Sequence, residues 1–125
     1  MTSERIRTAK IHDLRRNDGP YVGTETLVDR LWPRGVAKDS VKLAHWFQDV
    51  APSPELRKWW DHDPDRFDEF SSRYCAELDE MEGEELEQLQ EMATGDEPLV
   101  LVFAAKDRTI NHATVLANWL LEHTD

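Results

Sequence analysis

The sequence predicts one α/β domain, over residues 1–125, in which a small and mainly parallel sheet of about three strands is covered by helices. Residues 99–104 are six consecutive apolar residues, and such a run is typical of a strand buried on both faces of a parallel sheet. Apolar side chains recur at intervals of three or four residues on both sides of this run, which indicates helices with one buried face. A chain of 125 residues with 39% hydrophobic residues can bury one core.

Two further strands are expected before the helices. Residues 5–12 and 26–29 have the composition of short strands, and the segment 17–20 between them is typical of a turn. Proline and glycine in the segment 33–35 would end the second strand. Because helices separate residues 26–29 from residues 99–104, we expect these two strands to run parallel, joined by a right-handed crossover.

Five helices are predicted from their capping residues and apolar spacing. The first would begin at an N-cap, Asp39 or Ser40. The second and third would each begin with a capping residue followed by proline, at Ser53-Pro54 and at Asp63-Pro64. Gly83 separates the third helix from the fourth, which would end near Gly95, and the last would begin near Asn111. Their apolar stripes are, in chain order, Leu43, Trp46, Phe47 and Val50; Leu56, Trp59 and Trp60; Phe67, Phe70, Tyr74, Leu78 and Met81; Leu86, Leu89 and Met92; and Val115, Leu116, Trp119 and Leu120.

Charge is distributed unevenly along the chain. Residues 1–60 contain 11 Lys/Arg and 8 Asp/Glu, whereas residues 61–125 contain 4 and 18, for a net charge of −11. The acidic second half fits solvated helix faces that keep a protein soluble. It argues against nucleic-acid binding, which requires a broad basic face.

The sequence also suggests a compartment. A single cysteine, Cys75, excludes an internal disulfide framework and fits a reducing environment. No apolar run approaches the roughly 20 residues that span a bilayer, and the charged residues 1–10 do not resemble a signal peptide. We therefore expect a cytoplasmic protein without a membrane partner, whose oligomeric state the sequence leaves open.

A candidate site is expected where two predicted strands end. In an open parallel sheet, ligands bind beyond the carboxyl ends of the strands. The segments 29–35 and 105–112 follow the two strands and would open at the same edge. Arginine suits carboxylate or phosphate, and the N-terminus of the last helix would favour an anion. The residues concerned are Asp29, Arg30, Trp32, Arg34, Lys106, Asp107, Asn111 and His112.

The same residues also admit a purely structural interpretation. Asp29 and Arg30 could pair with buried partners, and Trp32 could cover the core. The segment 33–35 could be merely a turn, while Asp107 and Asn111 could cap the last helix.

A resemblance adds to this picture. Residues 28–35, residues 51–60 and the segment 62–64 are similar to the signature of the YeaO-like proteins, a branch of the domain-of-unknown-function 488 superfamily. The match closes with residues 104–107 and 111–113, so it spans about residues 6–122. The resemblance implies a compact α/β domain and brings no established reaction with it. In the broader superfamily the last motif tends to read Cys-His-Arg, and only His112 of the segment 111–113 matches it.

Other mechanisms lack support in the sequence. There is no glycine-rich dinucleotide or P-loop motif and no Gly-x-Ser-x-Gly elbow. We expect no metal at residues 61–63, because consecutive side chains point apart and Asp63 suits a helix cap, and no cofactor is implied. Cys75 has no evident activating base. His112 is the histidine placed as a general acid–base would be, and Asp29 could orient it.

Three function classes remain open. The first is an enzyme or small-molecule binder with an anion-accepting cleft at the strand ends. The second is a protein-interaction module that uses the acidic helical surface or an exposed tryptophan patch. The third, with less support, is a nucleic-acid accessory protein that uses the arginines of the first half.

Overall fold

The computed structural model describes residues 6–12, 24–37, 43, 45–95, 98–107 and 109–123. Over these residues the sheet has four strands, β1 (Ile6–Lys10), β2 (Thr24–Leu27), β3 (His45–Trp46) and β4 (Leu99–Phe103). They lie in the order β1-β4-β2-β3, and every neighbouring pair is parallel. The prediction of a mainly parallel α/β fold is therefore confirmed, with one strand more than expected.

Strand β4 occupies an inner position because its side chains are apolar on both faces. All five of its residues are buried. It pairs with β1 from Ile6↔Leu99 to Lys10↔Phe103 and with β2 from Thr24↔Leu99 to Leu27↔Val102. The predicted parallel pairing of the second strand with residues 99–104 is confirmed, and the carboxyl ends of β2 and β4 therefore lie at the same edge.

The α-helices whose bounds lie within the described residues are α1 (Pro54–Trp60), α2 (Phe67–Glu80), α3 (Glu84–Ala93) and α4 (His112–His123). Ser53 caps α1 by accepting a hydrogen bond from the backbone N–H of Leu56, with Pro54 at the first helical position. Asp63 caps a single 3-10 turn, Pro64–Arg66, that leads into α2. The predicted starts at both proline positions are confirmed.

The predicted helix over residues 43–50 is wrong. His45 and Trp46 instead form β3, which pairs with Thr26 and Leu27 of β2. The indole Nε1 of Trp46 donates a hydrogen bond to the backbone oxygen of Asp29 at 2.8 Å, and this contact holds the segment against the sheet. Pairing with the free edge of β2 has overridden the local apolar spacing. The predicted N-cap at residues 39–40 and the turn at residues 17–20 lie outside the described residues.

Two apolar clusters lie on the two faces of the sheet. The larger joins α1, α2, α3 and α4 to one face, and Phe70, Tyr74 and Leu78 of α2 are fully or almost fully buried in it. The smaller cluster contains Leu27, Val100 and Val102, with Trp32 and Trp46 packed against it. Within the described part of the chain, none of the helices has the length and apolar character needed to cross a bilayer.

Candidate functional site

A cleft of about 570 Å³ lies at the carboxyl edge of the sheet. One wall is formed by residues that follow β2 and β4 and by the first residue of α4; the other is formed by α1 and the residues on either side of it. The lining side chains include Asp29, Arg30 and His112, which the sequence placed together, and they also include a group from α1 and its C-terminal turn: Arg57, Lys58, Trp60, Asp61 and His62.

Asp29 is the residue that fixes the first wall. Its Oδ2 accepts a hydrogen bond from the backbone N–H of Ala104 at 3.1 Å, which ties the residue after β4 to the residue two positions after β2. Its other oxygen, Oδ1, is buried and accepts no hydrogen bond. The carboxylate as a whole is 17% exposed and belongs to the cleft lining, with one oxygen hydrogen-bonded and the other without a hydrogen bond.

His112 lies against Asp29, and its tautomer follows from its neighbours. Nε2 is 3.0 Å from the backbone oxygen of Val28 and 3.2 Å from Oδ1 of Asp29. Both neighbours are acceptors, so Nε2 must carry the hydrogen. The hydrogen bond goes to the Val28 carbonyl, while the approach to Asp29 is an electrostatic contact, since Oδ1 receives no hydrogen bond. In the neutral ring Nδ1 is then an acceptor, and no described residue hydrogen-bonds to it.

Arg30 crosses the cleft to the second wall. Its Nη2 nitrogen donates long hydrogen bonds to the backbone oxygens of Ala51 at 3.4 Å and Pro52 at 3.3 Å. Its Nε is buried without a partner. The guanidinium therefore holds the linker between β3 and α1 in place, while no described carboxylate lies within 4.0 Å of it.

Three side chains of α2 and α3 form hydrogen bonds to the same linker between β3 and α1. The buried hydroxyl of Tyr74 donates to the backbone oxygen of Val50. The Glu77 carboxylate accepts from the backbone N–H and the hydroxyl of Ser53, at 2.9 and 2.6 Å. Glu85 accepts from the N–H of Asp49 at 2.7 Å, and burial raises the pKa of that carboxyl. The wall that α1 contributes is thus held by contacts from distant parts of the chain.

The turn after α1 has an unusual backbone. Asp61 and His62 have φ angles of 50° and 56°, so two consecutive non-glycine residues adopt the left-handed conformation. Asp61 ends α1 by donating its N–H to the oxygen of Arg57, and the imidazole of His62 lies 5.0 Å from the Trp60 ring. This turn places both side chains at the mouth of the cleft.

The electrostatic balance of the cleft is opposite to that of the chain. Arg30, Arg57 and Lys58 contribute three cations, against the two carboxylates of Asp29 and Asp61. None of the three cations has a carboxylate within 4.0 Å among the described residues, although the chain has 26 acids and 15 bases. Three cations at one concave surface of an acidic protein thus have no ion-pair partner within the part of the chain that the structure describes.

The other predicted residues lie outside the cleft lining. Trp32 donates its Nε1 hydrogen to the backbone oxygen of Val36 at 2.6 Å and packs in the smaller apolar cluster. Arg34 and Lys106 are exposed. Asp107 accepts from the N–H groups of Ile110 and Thr109, and these hydrogen bonds lower the pKa of its carboxyl.

Asn111 is buried and acts as the N-cap of α4. Its Oδ1 accepts from the N–H of Thr114 at 3.0 Å, and its Nδ2 donates to the backbone oxygen of Asp107 at 2.9 Å. Both the oxygen and the nitrogen of the Asn111 side chain are therefore hydrogen-bonded to the backbone of the protein itself. Neither Asn111 nor Ala113, which is also fully buried, lines the cleft.

Sequence reasoning missed Arg57, Lys58, Asp61 and His62 as cleft residues. The only signal was their position just after the predicted helix start at Ser53-Pro54, and nothing local placed that helix over the strand ends. Cys75 lies on α2, outside the cleft lining, and burial together with the carboxylates of Asp79 and Glu122 raises the pKa of its thiol. Within the described residues, no three His, Cys, Asp or Glu side chains are grouped to hold a metal ion.

Comparison with known proteins identifies the family of this domain. The sequence profile of DUF488-N3i, described as the inactive DUF488-N3 subclade, matches residues 5–125. The chain belongs to this family. This match and the similarity to YeaO given below confirm the predicted resemblance to the YeaO-like branch of the domain-of-unknown-function 488 superfamily.

Several relatives of this DUF488-N3i domain carry no assigned function. "Uncharacterized protein Rv3073c" of Mycobacterium tuberculosis strain H37Rv is 43% identical over 116 residues, which cover 93% of each chain. "Uncharacterized protein YeaO" of Escherichia coli K12 is 42% identical over 100 residues, which cover 78% of this chain and 84% of that one. No solved structure is significantly similar to the chain.

Proposed function

We propose that this DUF488-N3i domain binds a small anionic molecule in the strand-end cleft and does not transform it. The observation that carries the proposal is the set of three cleft cations, Arg30, Arg57 and Lys58, which have no carboxylate partner among the described residues. Outside the cleft, Arg73 pairs with Glu69 and Arg66 with Asp63. A bound anion would supply the missing counter-charge.

The physical setting strengthens the attraction for an anion. Arg57 and Lys58 lie in the last turn of α1, where the helix dipole favours cations, so their placement costs the fold little. A concave, partly apolar surface excludes water and makes each charge–charge interaction stronger than on an open face. Arginine can also hold carboxylate or phosphate through two parallel hydrogen bonds.

Binding without catalysis is supported by the side chains at the start of α4. Position 111 carries a cap and position 113 a buried alanine, so neither offers a nucleophile or a further cation to the cleft. Nε2 of His112 is committed to the Val28 carbonyl. The raised pKa of the Cys75 thiol disfavours the reactive thiolate, and that residue lies outside the cleft. The family description, which calls the subclade inactive, is consistent with this proposal.

The test is a thermal-shift and calorimetric screen of the whole chain against phosphate, sulfate, acetate and hexanoate, with potassium chloride matching the ionic strength. A ligand that binds only the folded state raises Tm. We expect at least one anion to raise Tm above the chloride control, and Arg57→Gln or Lys58→Gln to reduce that rise by more than half. Arg34→Gln is the matched control, because Arg34 is an exposed arginine outside the cleft.

Two outcomes would overturn the proposal. If no anion raises Tm above chloride, the cleft cations do not form an anion site. If Arg34→Gln reduces the response as much as Lys58→Gln, the anions act through the general charge of the protein.

A second candidate function, a protein-interaction module, is favoured by the acidic helical surface. Glu80 and Glu91 are exposed in the last turns of α2 and α3, where the helix dipole disfavours negative charge and where neither helix has a basic residue in that turn. Because these charges do not stabilise their own helices, we propose that they bind a basic partner protein. We place that interaction in a reducing cytoplasm. Replacing both glutamates by glutamine should then weaken retention on a lysine-coated resin more than replacing Glu55 and Asp68.

A further inference from the structure

We infer that the ligand of this cleft is a zwitterion, with a protonated amine directed at Asp29 and an anionic group directed at the α1 cations. The inference rests on the proposed function, since it names the chemical class that the same cleft would take. It is carried by two acceptors without a hydrogen bond on the inner wall, which is the wall that contains Asp29 and His112. It is also carried by the contrast in charge between this wall and the outer wall, which α1 forms.

The first acceptor is Oδ1 of Asp29. Its partner oxygen receives the N–H of Ala104, but Oδ1 itself is buried and receives no hydrogen bond. A buried carboxylate oxygen without a donor costs free energy that a bound donor would recover. Nε2 of His112 lies 3.2 Å from Oδ1 but donates its hydrogen to the Val28 carbonyl.

The second acceptor is Nδ1 of His112. Because Nε2 carries the hydrogen, Nδ1 of the neutral ring has a lone pair and no hydrogen-bonding partner among the described residues. The His112 side chain is 15% exposed and lines the cleft, next to the carboxylate of Asp29. The inner wall thus presents two acceptors, one of them negatively charged, and a protonated amine matches both because it has positive charge and three N–H donors.

The outer wall has the opposite character. Arg57 and Lys58 are exposed near the C-terminal end of α1, and these two cations outnumber Asp61, the carboxylate that the end of α1 adds to the cleft lining. The cleft lining also includes the apolar side chains of Leu31, Pro52 and Pro54. A volume of about 570 Å³ is far larger than a lone phosphate or ammonium needs and falls in the range of small-molecule sites.

These features together describe a ligand with an amine at one end, an apolar middle and a carboxylate or phosphate at the other. Either anionic group satisfies the outer wall, so the shared chemistry is the zwitterion. A simple anion would leave both inner acceptors unpaired, and a simple amine would leave the cations of α1 without a counter-charge.

The experiment compares matched ligands by titration calorimetry on the whole chain at about pH 8. The probes are 6-aminohexanoate against hexanoate and hexylamine, and phosphoethanolamine against ethyl phosphate. We expect the amine to improve binding at least about fivefold within one of these pairs, as a charge-assisted hydrogen bond should. The pair that responds identifies carboxylate or phosphate as the anionic group.

Variants then locate the two ends. Asp29→Asn should bring each amine ligand to within about twofold of its matched anion, whereas Lys58→Gln should weaken both members of a pair together. Asp68→Asn is the matched control, since it removes one carboxylate from the exposed first turn of α2. Should Asp29→Asn fail to fold, the carboxyl signal of Asp29 in the labelled wild-type protein should shift with 6-aminohexanoate and not with hexanoate.

The inference and the proposed function fail in distinguishable ways. If hexanoate or ethyl phosphate binds and the amine brings no gain in the wild-type protein, the zwitterion is wrong and the anion site stands. If none of the probes that carry an anionic group binds, both are wrong.

Discussion

Asp29 accepts a hydrogen bond from the backbone N–H of Ala104, and this one contact joins the ends of β2 and β4. The two residues are 75 positions apart in the sequence, and they meet because the strands before them pair in parallel with Thr26 opposite Leu101 and Leu27 opposite Val102. The parallel register therefore determines the inner wall of the cleft. An antiparallel arrangement would have placed the two strand ends at opposite edges of the sheet.

The first prediction concerns the core beneath the cleft. Phe70 is fully buried, stacks on Trp60 at 4.1 Å and lines the cleft floor. Phe70→Ala should lower the free energy of unfolding by about 3–5 kcal/mol, measured by urea denaturation. Leu31→Ala is the control, since Leu31 is 70% exposed and its loss should change stability by less than about 0.5 kcal/mol. A loss below about 1 kcal/mol for Phe70→Ala would mean that its packing is not as described.

Much of this fold can be predicted from local sequence signals. The six apolar residues at 99–104 predicted an inner parallel strand, and the spacing of Phe70, Tyr74 and Leu78 predicted the buried face of α2, because burial on one or two faces leaves a periodic record in the chain. Strand β3 leaves no such record. It has two residues, and its conformation follows from pairing with β2 and from the bond between Trp46 and Asp29.

The candidate site also consists of residues that the sequence predicted and residues that it did not. Asp29, Arg30 and His112 were predicted to lie together because they directly follow or precede elements of known direction. Arg57 and Lys58 were missed because α1 reaches the strand ends only through its linker, which is held by Arg30, Tyr74 and Glu77. Such tertiary contacts have no local sequence pattern.

The second prediction concerns the cap of α4. Asn111→Ala removes the acceptor for the N–H of Thr114 and the donor to the oxygen of Asp107, so it should lower the free energy of unfolding by about 1–2 kcal/mol. Asn111→Asp keeps the capping oxygen and adds a negative charge at the helix N-terminus, and should lose less. Equal urea midpoints for Asn111→Ala and the unsubstituted chain would show that the cap contributes nothing to stability.

The third prediction concerns the thiol of Cys75. Partial burial, then the charges of Asp79 and Glu122, raise its pKa, so less thiolate is present near neutral pH than for a free cysteine. Alkylation by iodoacetamide at about pH 7.5 should be at least about tenfold slower in the folded chain than in the urea-unfolded chain. Glu122→Gln should accelerate the reaction of the folded chain by removing one of these charges, with Glu55→Gln as the control. Equal rates in the folded and unfolded chains would contradict the raised pKa.

The last prediction concerns alkaline pH and Tyr74. Its hydroxyl is buried and donates to the backbone oxygen of Val50, and burial, with the nearby charge of Glu77, raises its pKa well above 10.0. As pH rises through the ordinary tyrosine range, the unfolded chain releases this proton while the folded chain keeps it. The folded state then binds more protons, so the free energy of unfolding must fall with rising pH, by up to about 1.4 kcal/mol per unit for one group.

The measurement is a series of urea denaturations between about pH 8 and pH 11 in a Cys75→Ala background, because the raised thiol pKa would add a slope of the same sign. Tyr74→Phe leaves the Val50 oxygen without its donor and should lower stability at every pH by about 1–2 kcal/mol. Its free energy of unfolding should nevertheless fall less steeply above about pH 10 than that of the Cys75→Ala chain. Because a constant offset cannot change a slope, parallel pH profiles for the two chains would show that Tyr74 titrates alike in the folded and unfolded states, and that its hydroxyl is not held as described.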